Sequence, residues 1–264
     1  MNALDAIHVE RWGSGPPVVM IHGGARGGPV GGAGTFAAQR PLAERGYAAV
    51  LPDRPGHGQS PAGDGREDLE LEAVWVEELL GSSAHLVGHS YGAAIAVCAA
   101  ARRPAAVRSL TLIEPPIFSV AREDPDATRL ALELADAIGK PDELERILAF
   151  VRAAGIPPGV LAPPPHPGEL MAMARGLVTM RDPVTWEAGP SLEAIATAEV
   201  PTLIVTGGWS PGFEAIGDRL AALLGARRLV IEAGHHLPHL APGRAGGHGF
   251  EFNEALLELI RSAG

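Results

Sequence analysis

Residues 86–94 read Leu86-Val87-Gly88-His89-Ser90-Tyr91-Gly92-Ala93-Ala94: the end of an apolar run, a serine between two glycines, and the start of an alanine-rich stretch. The run before Gly88 is short and unbroken, as in a strand covered on both faces, and the alanines after Gly92 favour a helix. A serine at this junction lies where the chain reverses from strand to helix. The positions two before and two after must be small for that turn to close, and the hydroxyl is left protruding from it. Gly88-x-Ser90-x-Gly92 is therefore read as a turn that presents Ser90 as a nucleophile. Such a serine needs a base, and the base needs an acid to orient it. Both must come from elsewhere in the chain.

Outward from this turn, short apolar runs alternate with helical patterns, the signature of a parallel sheet wrapped by helices. The strands are expected at Ile7–Arg11, Val18–His22, Ala48–Pro52, Ala84–Gly88, Ser109–Glu114, Thr202–Thr206 and Arg228–Glu232. Helices are expected near Phe36–Arg45, Asp68–Leu80, Tyr91–Arg102, Phe213–Leu224 and Phe250–Arg261. From Ile117 to Glu199 the rhythm changes. No strand pattern is visible there, and helices are expected at Ala127–Ile138, Asp142–Ala153 and Glu169–Met180, with a proline-rich stretch between the last two. The segment is read as a helical cap, residues 117–199, inserted into a core formed by 1–116 and 200–264.

The bulk composition is ordinary for a soluble globular protein. The chain has 264 residues, 46% hydrophobic and 20% charged, with a formal net charge of −10. That charge argues against nucleic acid and anionic membranes as partners, since both select a basic face. The single cysteine, Cys98, leaves no internal disulfide or cysteine-based metal site. Without a signal-like or membrane-spanning run, a cytoplasmic monomer or homodimer acting on a small molecule is expected.

The motifs, taken in order, resemble the α/β-hydrolase family over almost the whole chain. Besides the serine turn there are His22-Gly23-Gly24 after an early strand and Asp53-Arg-Pro-Gly-His57-Gly-Gln-Ser60 after the next. Glu232-Ala-Gly-His235-His236-Leu-Pro-His239 lies near the C-terminus, and the insertion falls where that family carries its cap. The resemblance implies a mostly parallel central sheet flanked by helices, acyl transfer to Ser90, and no cofactor or metal. It also implies an oxyanion hole from the backbone N–H groups of Gly24 and Tyr91. The base matches His235, with His236 as its competitor. Counting back from Pro242, which often follows the histidine of that family at this spacing, favours His235. Asp53 and His57 are read as structural hydrogen-bonding residues of a tight loop.

The acid is missing from its usual place. The loop Thr206-Gly-Gly-Trp-Ser210-Pro-Gly-Phe213 carries Ser210 where most of the family carries a carboxylate. Glu114 instead ends the strand before the cap and is followed by Pro115-Pro116. Haloalkane dehalogenases and certain lactone hydrolases of the family take their acid from this strand end, and Glu114 is assigned that role. Glu214 and Asp218 are the next candidates.

For specificity, Met171, Met173 and Trp186 of the cap are expected to line an apolar pocket that admits neutral esters or lactones. Carbon–carbon bond hydrolysis, or slow-turnover ligand binding, is the alternative on the same constellation. Two rivals are weaker. Gly32-Ala-Gly-Thr-Phe-Ala37 formally matches a dinucleotide fingerprint, but does not follow its strand directly. His235 and His239 have metal-ligand spacing, but Pro238 interrupts any regular helix between them.

Overall fold

The computed structural model describes residues 6–62, 67–157, 165–180, 189–240 and 248–264. Among them lie seven strands: β1 (Val9–Trp12), β2 (Pro17–Ile21), β3 (Ala48–Pro52), β4 (Ala84–His89), β5 (Val107–Ile113), β6 (Thr202–Thr206) and β7 (Arg227–Val230). They form a single sheet in the order β1-β3-β2-β4-β5-β6-β7. Only β1 runs antiparallel, pairing Val9 with Pro52; the rest are parallel. Every expected strand is present, within a few residues of its expected ends.

Both faces of the central strands are buried, which accounts for their unbroken apolar runs. Val19, Ile21, Leu86, Leu110, Leu112 and Ile204 face one core. Their neighbours Val18, Met20, Val87, Ile113, Leu203 and Val205 face the other, as the two-residue period of a strand requires. The first core is closed by α3 (Leu69–Leu80), α4 (Tyr91–Arg102) and α9 (Pro211–Leu224), the second chiefly by α10 (Gly249–Ser262). The alanines of α4 let it sit close to the sheet, and Ala93, Ala94, Ala96, Ala99 and Ala100 are all buried.

The helix expected at Phe36–Arg45 is broken instead. Its place is taken by α1 (Gly32–Thr35), a short 3-10 turn at Ala37–Gln39, and α2 (Pro41–Glu44). Pro41 lacks an N–H and cannot continue a helix from the preceding residues, but it starts a new one readily.

Between β5 and β6 the described residues contain helices and no strand. These are a 3-10 turn at Phe118–Ala121, α5 (Pro125–Gly139), α6 (Glu143–Ala153), α7 (Pro167–Leu177) and α8 (Gly189–Thr197). Asp124 and Asp142 cap α5 and α6, each accepting from backbone N–H groups of the first turn. Helix α5 packs on α6 and α9, α6 on α7, and α8 returns to lie against α4.

Candidate active site

The C-terminal ends of β2, β4, β5, β6 and β7 converge on one side of the sheet. Chain order reverses between β2 and β4, the kind of switch point where open α/β sheets bind ligands. Ser90 stands at this point with φ 54° and ψ −127°, a conformation unusual for any residue but glycine. The strain is of order 1–3 kcal/mol, and close contacts hold the turn in place. A Cβ on Gly88 would lie 2.5 Å from Ala93 Cα, and one on Gly92 would lie 2.3 Å from the Ile21 carbonyl. The Ser90 N–H donates to the Ile113 carbonyl at 2.8 Å, tying the turn to the neighbouring strand.

Gly24, in the loop after β2, has φ +92° and opens into free space. Beneath it the loop is rigidly held. His22 Nδ1 donates to Gly23 O at 2.7 Å, while its Nε2 accepts from the Arg54 N–H at 2.9 Å. Those two bonds fix a neutral tautomer, and burial keeps the His22 pKa well below its ordinary value. The Arg54 side chain is itself wholly buried. It pairs with Glu67 at 2.5 Å and Glu72 at 2.9 Å, and its guanidinium lies 4.6 Å from the Tyr91 ring centre. A buried charge removed from water needs such partners to be tolerated. Sequence reading did not single out Arg54, although it sits inside the Asp53–Ser60 motif.

Asp53 is occupied structurally: Oδ1 accepts from Gly32 N at 2.8 Å and Oδ2 from Gln59 N at 2.9 Å. Gly32, which opens the nucleotide-like stretch, is thus held by this carboxylate, and a Cβ on the preceding Gly31 would collide with it. His57 bonds to loop carbonyls but also lines the cavity beside Ser90. Among the described residues no cluster of His, Cys, Asp and Glu has metal-binding geometry.

Glu114 also has a positive φ, 49°, just past the end of β5, and its side chain is fully buried. Its Oε1 accepts from Gly207 N at 2.6 Å, and its Oε2 from Trp209 Nε1 at 2.9 Å. The third partner corrects an expectation. Glu114 Oε2 lies 2.8 Å from Nδ1 of His236, not of His235. His235 is pinned locally, its Nδ1 accepting from Leu237 N at 3.0 Å, and its carbonyl faces Gly207. His236 and Ser90 line one cavity, whereas His235 does not line it.

Burial drives the two partners in opposite directions. Desolvation pushes the Glu114 carboxyl up to about 8, with the bonds from Trp209 and Gly207 pulling it back. Desolvation, with a smaller contribution from His235, lowers His236 to about 3. The imidazole is therefore neutral at ordinary pH. Once Glu114 ionises, the Nδ1 proton is directed at its carboxylate and the Nε2 lone pair is left to accept a proton.

The cavity over Ser90 has a volume of about 480 Å³ and is mainly apolar. The loop regions contribute Gly24, Ala25, Val30, Leu237 and Leu240, the helices between β5 and β6 contribute Leu134, Phe150 and Met173, and Met180 comes from the turn after α7. Met173 is thus where it was expected. Met171 is not among the lining residues, because positions two apart on a helix face different sides. Trp186 lies outside the described residues, as does Pro242. Tyr91 opens α4 directly after Ser90, placing its backbone N–H in the first turn.

Comparison with known proteins agrees with this architecture. The model of the alpha/beta hydrolase family matches residues 18–245. A pimeloyl-[acyl-carrier protein] methyl ester esterase of Xanthomonas oryzae pv. oryzae is 30% identical over 97% of this chain and 99% of its own length. The chain belongs to the α/β hydrolase family. A similarly named esterase of Methylococcus capsulatus is 40% identical, but the match spans only 40% of each chain. Among solved structures, an alpha/beta hydrolase from Sphaerobacter thermophilus shares 26% identity, with a TM-score of 0.61 and 96% of each chain covered. An esterase from Thermogutta terrifontis, at 20% identity and a TM-score of 0.63, has the same fold.

Proposed function

We propose that the protein is a serine hydrolase that cleaves a carboxylic ester of a neutral, mostly apolar small molecule through Ser90, His236 and Glu114. One observation carries the reading: a strained serine and a carboxylate-bound, neutral histidine line the same apolar cavity. In this reading Ser90 Oγ attacks the ester carbonyl while His236 Nε2 takes its proton. Glu114 holds Nδ1–H and stabilises the imidazolium as it forms. The developing oxyanion is met by the N–H groups of Gly24 and Tyr91, each worth ~3 kcal/mol in the transition state. His236 then passes the proton to the leaving alcohol and activates water to release the acid.

Two features support an ester of an apolar acyl chain. The cavity wall is mainly hydrocarbon, and relatives aligned with this chain are named for a methyl ester of a pimeloyl group. A carrier protein bearing that acyl group is a weaker fit. Acidic side chains outnumber basic ones by nearly two to one in residues 117–199, and the whole chain carries −10. Helices α5–α7 act as a cap in this reading, because their side chains close the cavity above Ser90 and set the size of the acyl group.

A fluorophosphonate tests the reading directly. Intact-mass spectrometry should show one adduct per chain, lost in Ser90→Ala together with hydrolysis of p-nitrophenyl butyrate. An adduct that persists in Ser90→Ala would remove the nucleophile from the assignment.

A further inference from the structure

Trp209 occupies the loop after β6, where the sequence lacks a carboxylate. Its indole N–H reaches across to the next strand end and donates to Glu114 Oε2, the same oxygen that faces His236. The other face of the ring is packed against the helical insertion. A Cβ placed on Gly155, at φ +60°, would lie 2.6 Å from three atoms of the indole, so the chain after α6 lies flat against it. The carbonyl of Gly155 in turn accepts the backbone N–H of His236 at 3.1 Å. Trp209 therefore touches Glu114 on one side and, on the other, the turn that holds His236. No other described side chain bonds Glu114 apart from His236.

We propose that Trp209 is a positioning residue, whose indole N–H holds Glu114 ionised and aimed at His236 and whose ring couples that pair to the cap through Gly155. The proposal rests on the Ser90–His236–Glu114 reading. The carboxylate is fully buried, so each N–H donor removed leaves a buried lone pair without its protein partner. The charged and titratable groups around it are few. His236 and His235 face it from the loop after β7, with His89 behind His236. Arg228 acts from β7 at longer range and is itself paired with Glu214 and Asp218. On the outer side of Trp209, Arg129, Arg152, Asp126, Glu133 and Asp136 line a surface groove that the indole shares.

Trp209→Phe keeps an aromatic ring and deletes the donor, while shortening the ring edge that packs on Gly155. Protonation of Glu114 then competes more strongly with the ionised form. Hydrolysis of p-nitrophenyl butyrate should fall in kcat by about tenfold to a hundredfold at pH 6.5, with little change in KM. The loss should shrink by about tenfold at pH 9, because one unit of pKa is a factor of ten. Trp209→His is the restoring variant. Its five-membered ring overlays the pyrrole half of indole and carries Nε2 where Nε1 stood, so most of the activity at pH 7.5 should return. Trp209→Leu repeats the deletion with another shape and should show the same pH-dependent loss.

A loss equal at both pH values, in whichever donor-deleting variant folds, overturns the proposal and makes Trp209 a packing residue. So does an undiminished Trp209→Phe enzyme measured beside an inactive Glu114→Gln enzyme; the triad reading survives both results. A fully active Glu114→Gln enzyme removes the triad reading itself, and the proposal with it.

Discussion

The ends of β5 and β6 lie side by side in the sheet and face the same histidine, yet they do opposite work. The β5 end carries an acceptor: Glu114, strained into a positive φ and fixed by Pro115. The β6 end carries donors, the N–H of Gly207 and the indole of Trp209, both directed at that carboxylate. A buried carboxylate must receive hydrogen bonds from the protein, and besides His236 it is the neighbouring strand end that supplies them. In the proposed triad the acid sits one strand away from the loop that usually carries it, and that loop supplies the donors to its carboxylate.

The comparison is broken most severely at the histidines. If the β5 end supplies the acid, the base is the histidine that Glu114 touches. His236→Ala should then reduce kcat on p-nitrophenyl butyrate by several orders of magnitude, as loss of a triad base does. His235→Ala should cost far less, since its Nδ1 is engaged by the Leu237 N–H of its own turn and Glu114 bonds His236 instead. Glu114→Gln should follow with a loss of about 10⁴, the magnitude expected when the acid presents the wrong group to the imidazole. Steady-state kinetics on the three folded variants decides the order. His235→Ala as the most damaging change would assign the base as the family spacing did.

Much of this site was legible before the fold was seen. Gly88, Ser90 and Gly92 announce the strained turn, and Glu114 with Pro115-Pro116 announces a strand end with a carboxylate that needs a partner. Adjacent histidines were not separable in that way. Their spacing from other motifs differs by one residue, while the choice depends on which side chain the loop turns inward. Gly234 at φ +71° and the Leu237 N–H that binds His235 shape the turn locally, while the contacts of His236 with Glu114 and Gly155 are tertiary facts. Trp209 and Gly155 were invisible for the same reason: their partners are 95 residues away in the first case, and in the second belong to a different element. Met171 and Met173 were grouped by composition, and only the helix's rotation separates them.

A smaller effect sharpens the comparison through pH. Burial holds His236 to about 3, so the base is already deprotonated through the neutral range. Glu114 is held up to about 8, so it is this group whose state changes. The carboxylate form must be present for the imidazolium to be stabilised. The rate should therefore rise with pH as Glu114 ionises, and level off above about 8. A pH profile of kcat/KM between 5.5 and 9.5 checks the sign, the measured pKa belonging to the pair rather than to one residue. A flat profile down to pH 5.5 would mean that the three N–H donors outweigh burial and keep Glu114 ionised throughout.

The smallest effect is expected where the acid usually stands. Ser210 is the N-cap of α9: its Oγ accepts from the Phe213 N–H, and its side chain lies beside the outer groove rather than the cavity over Ser90. An aspartate fits that role equally well, because Asp and Ser are comparable N-caps and a negative charge is favourable at a helix N-terminus. Ser210→Asp alone should leave kcat/KM within about twofold and change stability by less than about 1 kcal/mol, measurable by thermal melting. In the Glu114→Gln background it should restore little, under about tenfold of the roughly 10⁴ lost, because the new carboxylate is engaged at the helix end, beside the outer groove. The result distinguishes two views of the vacated loop. If restoration exceeds a hundredfold, the β6 end has kept its capacity to carry an acid, and the two strand ends are interchangeable. If it does not, the loop has been rebuilt around its donors, and the position of the carboxylate is fixed by Trp209 and Gly207 as firmly as by Glu114 itself.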